Sequence, residues 1–217
     1  LIAARRFLLL FIFLLSSLVL YPYTEDSGFR YYLFRFLGSA VIVLSVYAVS
    51  FRRSLILVAL LLAGPAFLQR AFLHQFDATA LSILRICLSL IFDIFIVVVI
   101  FRRVVSRDAP NAETVFGALC IYLLVGFSFT SLYGLLASVQ PDAFYLDPAT
   151  NHHVVPDRFD LIYYSFGTMT SLGAPGITPV SGQARSLTVI EAILGVLYLA
   201  VLISRLISNY RTQPPES

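Results

Sequence analysis

The sequence predicts an all-helical membrane protein of about six transmembrane helices, with a re-entrant half-helix and a glycine-rich loop between the last two. Three observations carry that expectation. Hydrophobic residues make up 59% of the 217 and charged residues 12%, with a mean hydropathy of +0.88. A soluble domain carries roughly 25% charged residues. So few charges cannot cover so apolar a core in water, which makes lipid the solvent for most of the chain. Apolar runs of the length needed to cross about 30 Å of hydrocarbon recur along the sequence. Between the last two lies an apolar segment too short to span, followed by a glycine-rich stretch, and irregular backbone at membrane depth survives only where protein buries it or water bathes it.

The spans are expected near 6–21, 33–51, 54–69, 79–101, 114–138 and 184–208. The first follows Arg5-Arg6 and imitates a signal peptide. It ends in Leu20-Tyr21-Pro22-Tyr23 without a small-residue cleavage site, so it is read as a retained span. The third is interrupted by Gly64-Pro65, a kink that a membrane helix tolerates. The fourth holds Arg85 and Asp93. A voltage sensor needs a ladder of arginines, and Arg85 stands alone before Arg102-Arg103, so this pair is read as structural.

Orientation follows from the arginines, which are the only basic residues besides histidine. Arg5-Arg6, Arg52-Arg53, Arg102-Arg103 with Arg107, and Arg205 with Arg211 fall at alternate ends of successive spans. The positive-inside tendency then puts both termini in the cytoplasm, with the chain in the plasma (inner) membrane. The net charge of +3 is too small and dispersed to suggest nucleic acid. Cys87 and Cys120 lie within apolar runs and read as small buried hydrophobes.

The connection from about 139 to 183 is polar at first, with Asp142, Asp147, His152, His153 and Pro156. The segment from Phe159 to Phe166 then reads as a half-helix whose start Asp157 caps. His152-His153 lacks partners at recognisable ligand spacing and reads as an exposed loop dipeptide. There is no nucleophile elbow, phosphate-cradling loop or zinc motif, so neither an enzyme nor a resident cofactor is expected. Residues 1–110 form a four-span peripheral bundle in this reading. Residues 111–217 form a pore module of outer helix, pore helix, filter, inner helix and a short tail, too short for a ligand-binding gating domain.

From Tyr163 to Pro179 the chain reads YYSFGTMTSLGAPGITP. This resembles the pore loop of the potassium channel family, whose general pattern is S-x-x-T-x-T-T-V-G-Y-G-D-x-T-P. The run from Ala184 to Ala200 resembles the inner helix of bacterial members, and the likeness covers about residues 115–208. Thr168 and Thr170 match the threonines leading into the filter. Ser171, Leu172 and Gly173 stand where the family has Thr, Val and Gly; Ala174, Pro175 and Gly176 stand where it has Tyr, Gly and Asp. Ile177-Thr178-Pro179 matches again.

The resemblance implies a homotetramer in membrane lipid that conducts monovalent cations, potassium and also sodium, through rings of backbone carbonyls contributed by residues 170–176. Pro175, with φ fixed and no N–H, predicts a rearranged outer mouth and weakened potassium-over-sodium discrimination. Thr168 and Glu191 are expected to support the filter. Gly195 serves either as a gating hinge or for close helix packing. The alternative is a non-conducting scaffold or sensor that keeps the fold. A transporter of inverted repeats is not supported, because the halves show no internal symmetry.

Overall fold

Seven helical stretches and one small sheet make up the described part of the chain. A computed structural model describes residues 2–20, 39–48, 57–64, 79–106, 112–151 and 153–210. In chain order the helices are α1 (Ile2–Leu20), α2 (Ser39–Ala48), α3 (57–64), α4 (Thr79–Val105), α5 (Ala112–Val139), α6 (Arg158–Met169) and α7 (Gly182–Tyr210). Two strands, β1 (Phe144–Leu146) and β2 (Ile177–Pro179), pair antiparallel on either side of α6. The expectations for Arg52-Arg53, Pro65, Arg107, His152 and Arg211 fall outside the described residues, as do the side chains of Arg5, Arg85 and Arg205.

The described residues include part of each of the six expected spans. Two helices, Ala112–Val139 and the Gly182–Ser204 part of α7, are long and apolar enough to cross a membrane. Arg6–Leu20 and Ser39–Ala48 are apolar but shorter. At 1.5 Å per residue, α4 reaches about 40 Å, yet it carries Asp93 and Arg102-Arg103 within its length.

Helix α5 is the organising element. Helices α1 and α4 pack on one part of it, while α6 and α7 pack on another. Its apolar surface runs around the helix with no polar side, as befits a helix enclosed by neighbours. One core joins α1, α4 and α5 through Phe7, Leu10, Ile96, Ile100, Cys120 and Leu124. Cys120 Sγ donates to the Phe7 carbonyl at 3.3 Å, so the buried thiol assigned to the core stitches α5 to α1. Arg103 pairs with Glu113 at 3.3 Å across the α4–α5 connection.

A second core belongs to the site. Tyr133, Phe144 and Tyr164 form a mutual edge-to-face cluster with ring centroids 5.1–5.6 Å apart, tying α5, β1 and α6 together. Gly126 on α5 faces the ring of Phe166, where a side chain would collide. That missing side chain lets α6 lie close against α5.

Candidate functional site

The site grows from α6, a twelve-residue helix of about 18 Å, which is too short to cross a membrane. Its start is fixed by a reciprocal capping box. Asp157 Oδ1 accepts from the Asp160 N–H at 2.8 Å, and Asp160 Oδ2 accepts from the Asp157 N–H at 3.0 Å. Asp157 therefore caps as the sequence indicates, with Asp160 as its unforeseen partner. His153 is exposed, yet its Nε2 sits 2.7 Å from Asp160 Oδ2 and 3.8 Å from Asp157 Oδ2. The dipeptide reading thus needs a correction: His153 braces the cap. The carboxylates of this trio already hold backbone amides at a positive helix end, which disfavours a metal cation there.

Helix α6 stops at Met169, and the chain reverses through Thr170 and Ser171. The Thr170 N–H reaches back to the Phe166 and Thr168 carbonyls. Ser171 follows with φ at 58°, in the left-handed region, where a side chain is strained. Gly173, with φ at 81°, donates its N–H to the Gly167 carbonyl at 3.0 Å. Gly167 can carry no side chain, because one would strike the Gly173 carbonyl. This folds the loop back against the end of α6.

Ala174-Pro175-Gly176-Ile177 then makes a turn. The Ile177 N–H donates to the Ala174 carbonyl at 3.1 Å, and Gly176 has φ at 91°. Proline second and a positive-φ glycine third are what a type II turn requires. Residues 174–176 accordingly close a turn instead of prolonging an extended row of carbonyls. The carbonyls of Ala174 and Gly176 accept hydrogen bonds, whereas those of Thr170, Ser171, Leu172 and Gly173, like that of Pro175, accept none among the described residues. All four residues are exposed, Leu172 by 75%.

Glu191 lies on α7 and is 0% exposed. Its Oε1 accepts from Ser165 Oγ at 2.5 Å and its Oε2 from Tyr133 Oη at 2.6 Å. Ser165 Oγ also lies 2.8 Å from the Gly126 carbonyl of α5. One carboxylate thus joins α7 to α6 and α5 just behind the loop. Tyr164 Oη and Thr188 Oγ1, 2.6 Å apart, make a second α6–α7 link. Thr168 supports the loop through its backbone, accepting the Ser171 N–H at 3.1 Å. Gly195 meets the backbone of Met169, so close that a Cβ would collide with the Met169 carbonyl.

Sequence reasoning named Glu191 but missed Ser165, Tyr133 and Asn151. Ser165 carries a usable signal, since it opens the S-x-x-T-x-T pattern with Thr168 and Thr170. A family model described as "Ion channel" matches residues 117–211, from the second turn of α5 through α7.

This stretch of the chain is similar to an ion-channel domain.

The matched stretch comprises nearly all of α5, the β1–α6–β2 insert and α7, and it contains the two helices long and apolar enough to cross a membrane. No curated protein and no solved structure matches the chain.

Proposed function

We propose that the chain assembles as a homotetramer in membrane lipid and conducts monovalent cations through a path lined by the loop from Thr170 to Gly173. The observation that carries this reading is the run of four successive carbonyls without hydrogen bonds at the end of a capped half-helix. Carbonyls at membrane depth need a partner, and a ring of them replaces the hydration shell of a permeant ion. The C-terminal end of α6, bearing the negative end of its dipole, lies at the start of this loop and favours cations.

One such loop encloses no axial path, so several copies must surround it. Helix α7 fits that need. It buries Ala184, Glu191 and Gly195 on a narrow stripe toward α6, and leaves Val189, Ile193, Val196 and Val201 exposed for lipid and neighbouring copies. Potassium and sodium are the expected ions, with weakened discrimination between them. The turn at Ala174–Gly176 shortens the carbonyl run on one side, and Ala174 supplies no aromatic ring to brace it. Thr168 and Glu191 act as filter supports. Both termini face the cytoplasm in this arrangement, with the β1–β2 side of the loop facing outward.

Cation flux through purified protein in liposomes tests the reading, with Gly173→Pro as the control. Proline can neither adopt φ near 81° nor donate the bond to Gly167. Potassium flux that this variant abolishes is the expected result, with a bi-ionic reversal potential giving the potassium-to-sodium ratio. Absence of flux above empty liposomes, from folded protein over a range of pH and voltage, sinks conduction and leaves the non-conducting scaffold.

A further inference from the structure

Past the loop, the backbone is fastened to the connection between α5 and α6. The Gly176 carbonyl accepts the Asp147 N–H at 2.8 Å and Asn151 Nδ2 at 2.9 Å. A carbonyl oxygen has two lone pairs, and both are engaged here. Asn151 Nδ2 also donates to the Asp147 carbonyl at 3.0 Å, so the two amide protons bridge the two segments. The side chain is itself held in place. The Asn151 N–H donates to the Asp147 carbonyl at 2.9 Å, and the Asp147 side chain turns the loop by accepting the Ala149 N–H at 3.0 Å. Gly176 has no room for a side chain, because Thr150 and Asn151 fill that space.

We infer that Asn151 is a positioning residue that sets ion discrimination, by clamping Gly176 and so fixing where the carbonyl run ends. The inference rests on the conducting reading above. Residues 147–151 do here what a bracing side chain at position 174 cannot do from alanine. With Gly176 held in the clamp, Asn151 supplies the one side-chain hydrogen bond, among the described residues, that adds to the Asp147 N–H in fixing where the loop ends. Asparagine suits the role because it presents two protons in one plane; aspartate of the same shape presents none.

The test compares wild type with Asn151→Ala, Asn151→Asp and Ala149→Asp in liposomes, by bi-ionic reversal potentials and by hydrogen exchange of residues 144–151. Ala149 is exposed and only its backbone is used, so Ala149→Asp adds the same charge nearby with the clamp intact. Losing the clamp removes about one net hydrogen bond, which predicts a change of roughly threefold to tenfold in the potassium-to-sodium permeability ratio. Both Asn151 variants should show it, with faster exchange at the Asp147 amide, while Ala149→Asp shows neither. A ratio unchanged in both Asn151 variants, despite faster exchange, overturns the inference and leaves the conducting reading intact. An equal shift in Asn151→Asp and Ala149→Asp, with none in Asn151→Ala, also overturns it, since charge alone would then explain the effect. Wild type that carries no current removes the premise, and the inference fails with it.

Discussion

At the scale of single residues, two positions on α7 hold the loop from behind by opposite means. Glu191 does so with polar atoms, through the hydroxyls of Ser165 and Tyr133. Replacing it by leucine keeps the volume and removes the acceptor. Ser165 Oγ can still donate to the Gly126 carbonyl, but Tyr133 Oη loses its acceptor, and a buried hydroxyl left unsatisfied costs about 1–3 kcal/mol. Glu191→Leu is therefore expected to lower the unfolding temperature in detergent clearly, and Glu191→Gln, which keeps an acceptor oxygen, much less. Equal losses in the two variants would argue against the hydrogen-bonded brace. Gly195 acts through the absence of a side chain, where α7 meets the Met169 backbone. Its hinge and packing readings separate in experiment. Gly195→Ala must push the end of α6 aside at a cost of about 1–3 kcal/mol, so it should destabilise the fold and reduce flux together. Gly182→Ala, at a site with open space around it, should do neither. A Gly195→Ala protein of full stability whose flux fails to switch on would favour the hinge.

At the scale of elements, α6 owes its placement to its two ends. The N-terminal box is local, and Asp157→Ala is expected to cost about 0.5–2 kcal/mol, read as lower thermal stability with faster amide exchange in the first turn of α6. His153→Ala, which touches the same cap from an exposed position, should change stability by under about 1 kcal/mol. How much could be read from sequence follows this division between local and distant. The half-helix, its cap and the two long helices around it were legible, because composition, length and a capping aspartate are local signals. Pro175-Gly176 was also legible as a turn, but alignment with a filter pattern drew attention to carbonyls at 174–176 instead. The partners of Glu191 were out of reach, since Ser165 and Tyr133 lie 26 and 58 residues away in sequence. Asn151 was hidden for the same reason, in a polar stretch where nothing distinguishes an asparagine that clamps from one that is merely solvated. The six-span count drew on the runs 33–51 and 54–69, of which the described residues 39–48 and 57–64 are helical.

At the scale of the whole molecule, α5 separates two jobs. One part of its surface receives α1 and α4, and another receives α6 and α7. The exposed apolar surface of α7 is far too extensive for a monomer in water and is suited to lipid and to other copies. Native mass spectrometry from detergent is expected to give a complex of about four times the 24.2 kDa chain. A lone chain, across several mild detergents, would leave the loop unable to surround a path.

The small β1–β2 stem carries a mechanical consequence. Phe144 to Leu146 pairs with Ile177 to Pro179, and the N–H groups of Val180 and Ser181 both reach the Ala143 carbonyl, at 2.8 and 3.2 Å. The end of α5 and the start of α7 are thereby laced together within a few residues of where each helix meets the insert. Two rods joined at one end behave as a pair of tongs: they spread only at the free tips. Any motion that parts α5 from α7 must begin at the Ala112 end of α5 and the Tyr210 end of α7, with the stem as pivot. The loop runs from Gly176 beside the pivot to Met169, which meets Gly195 about 20 Å along α7 from Gly182, so its stem end would travel less than its α6 end.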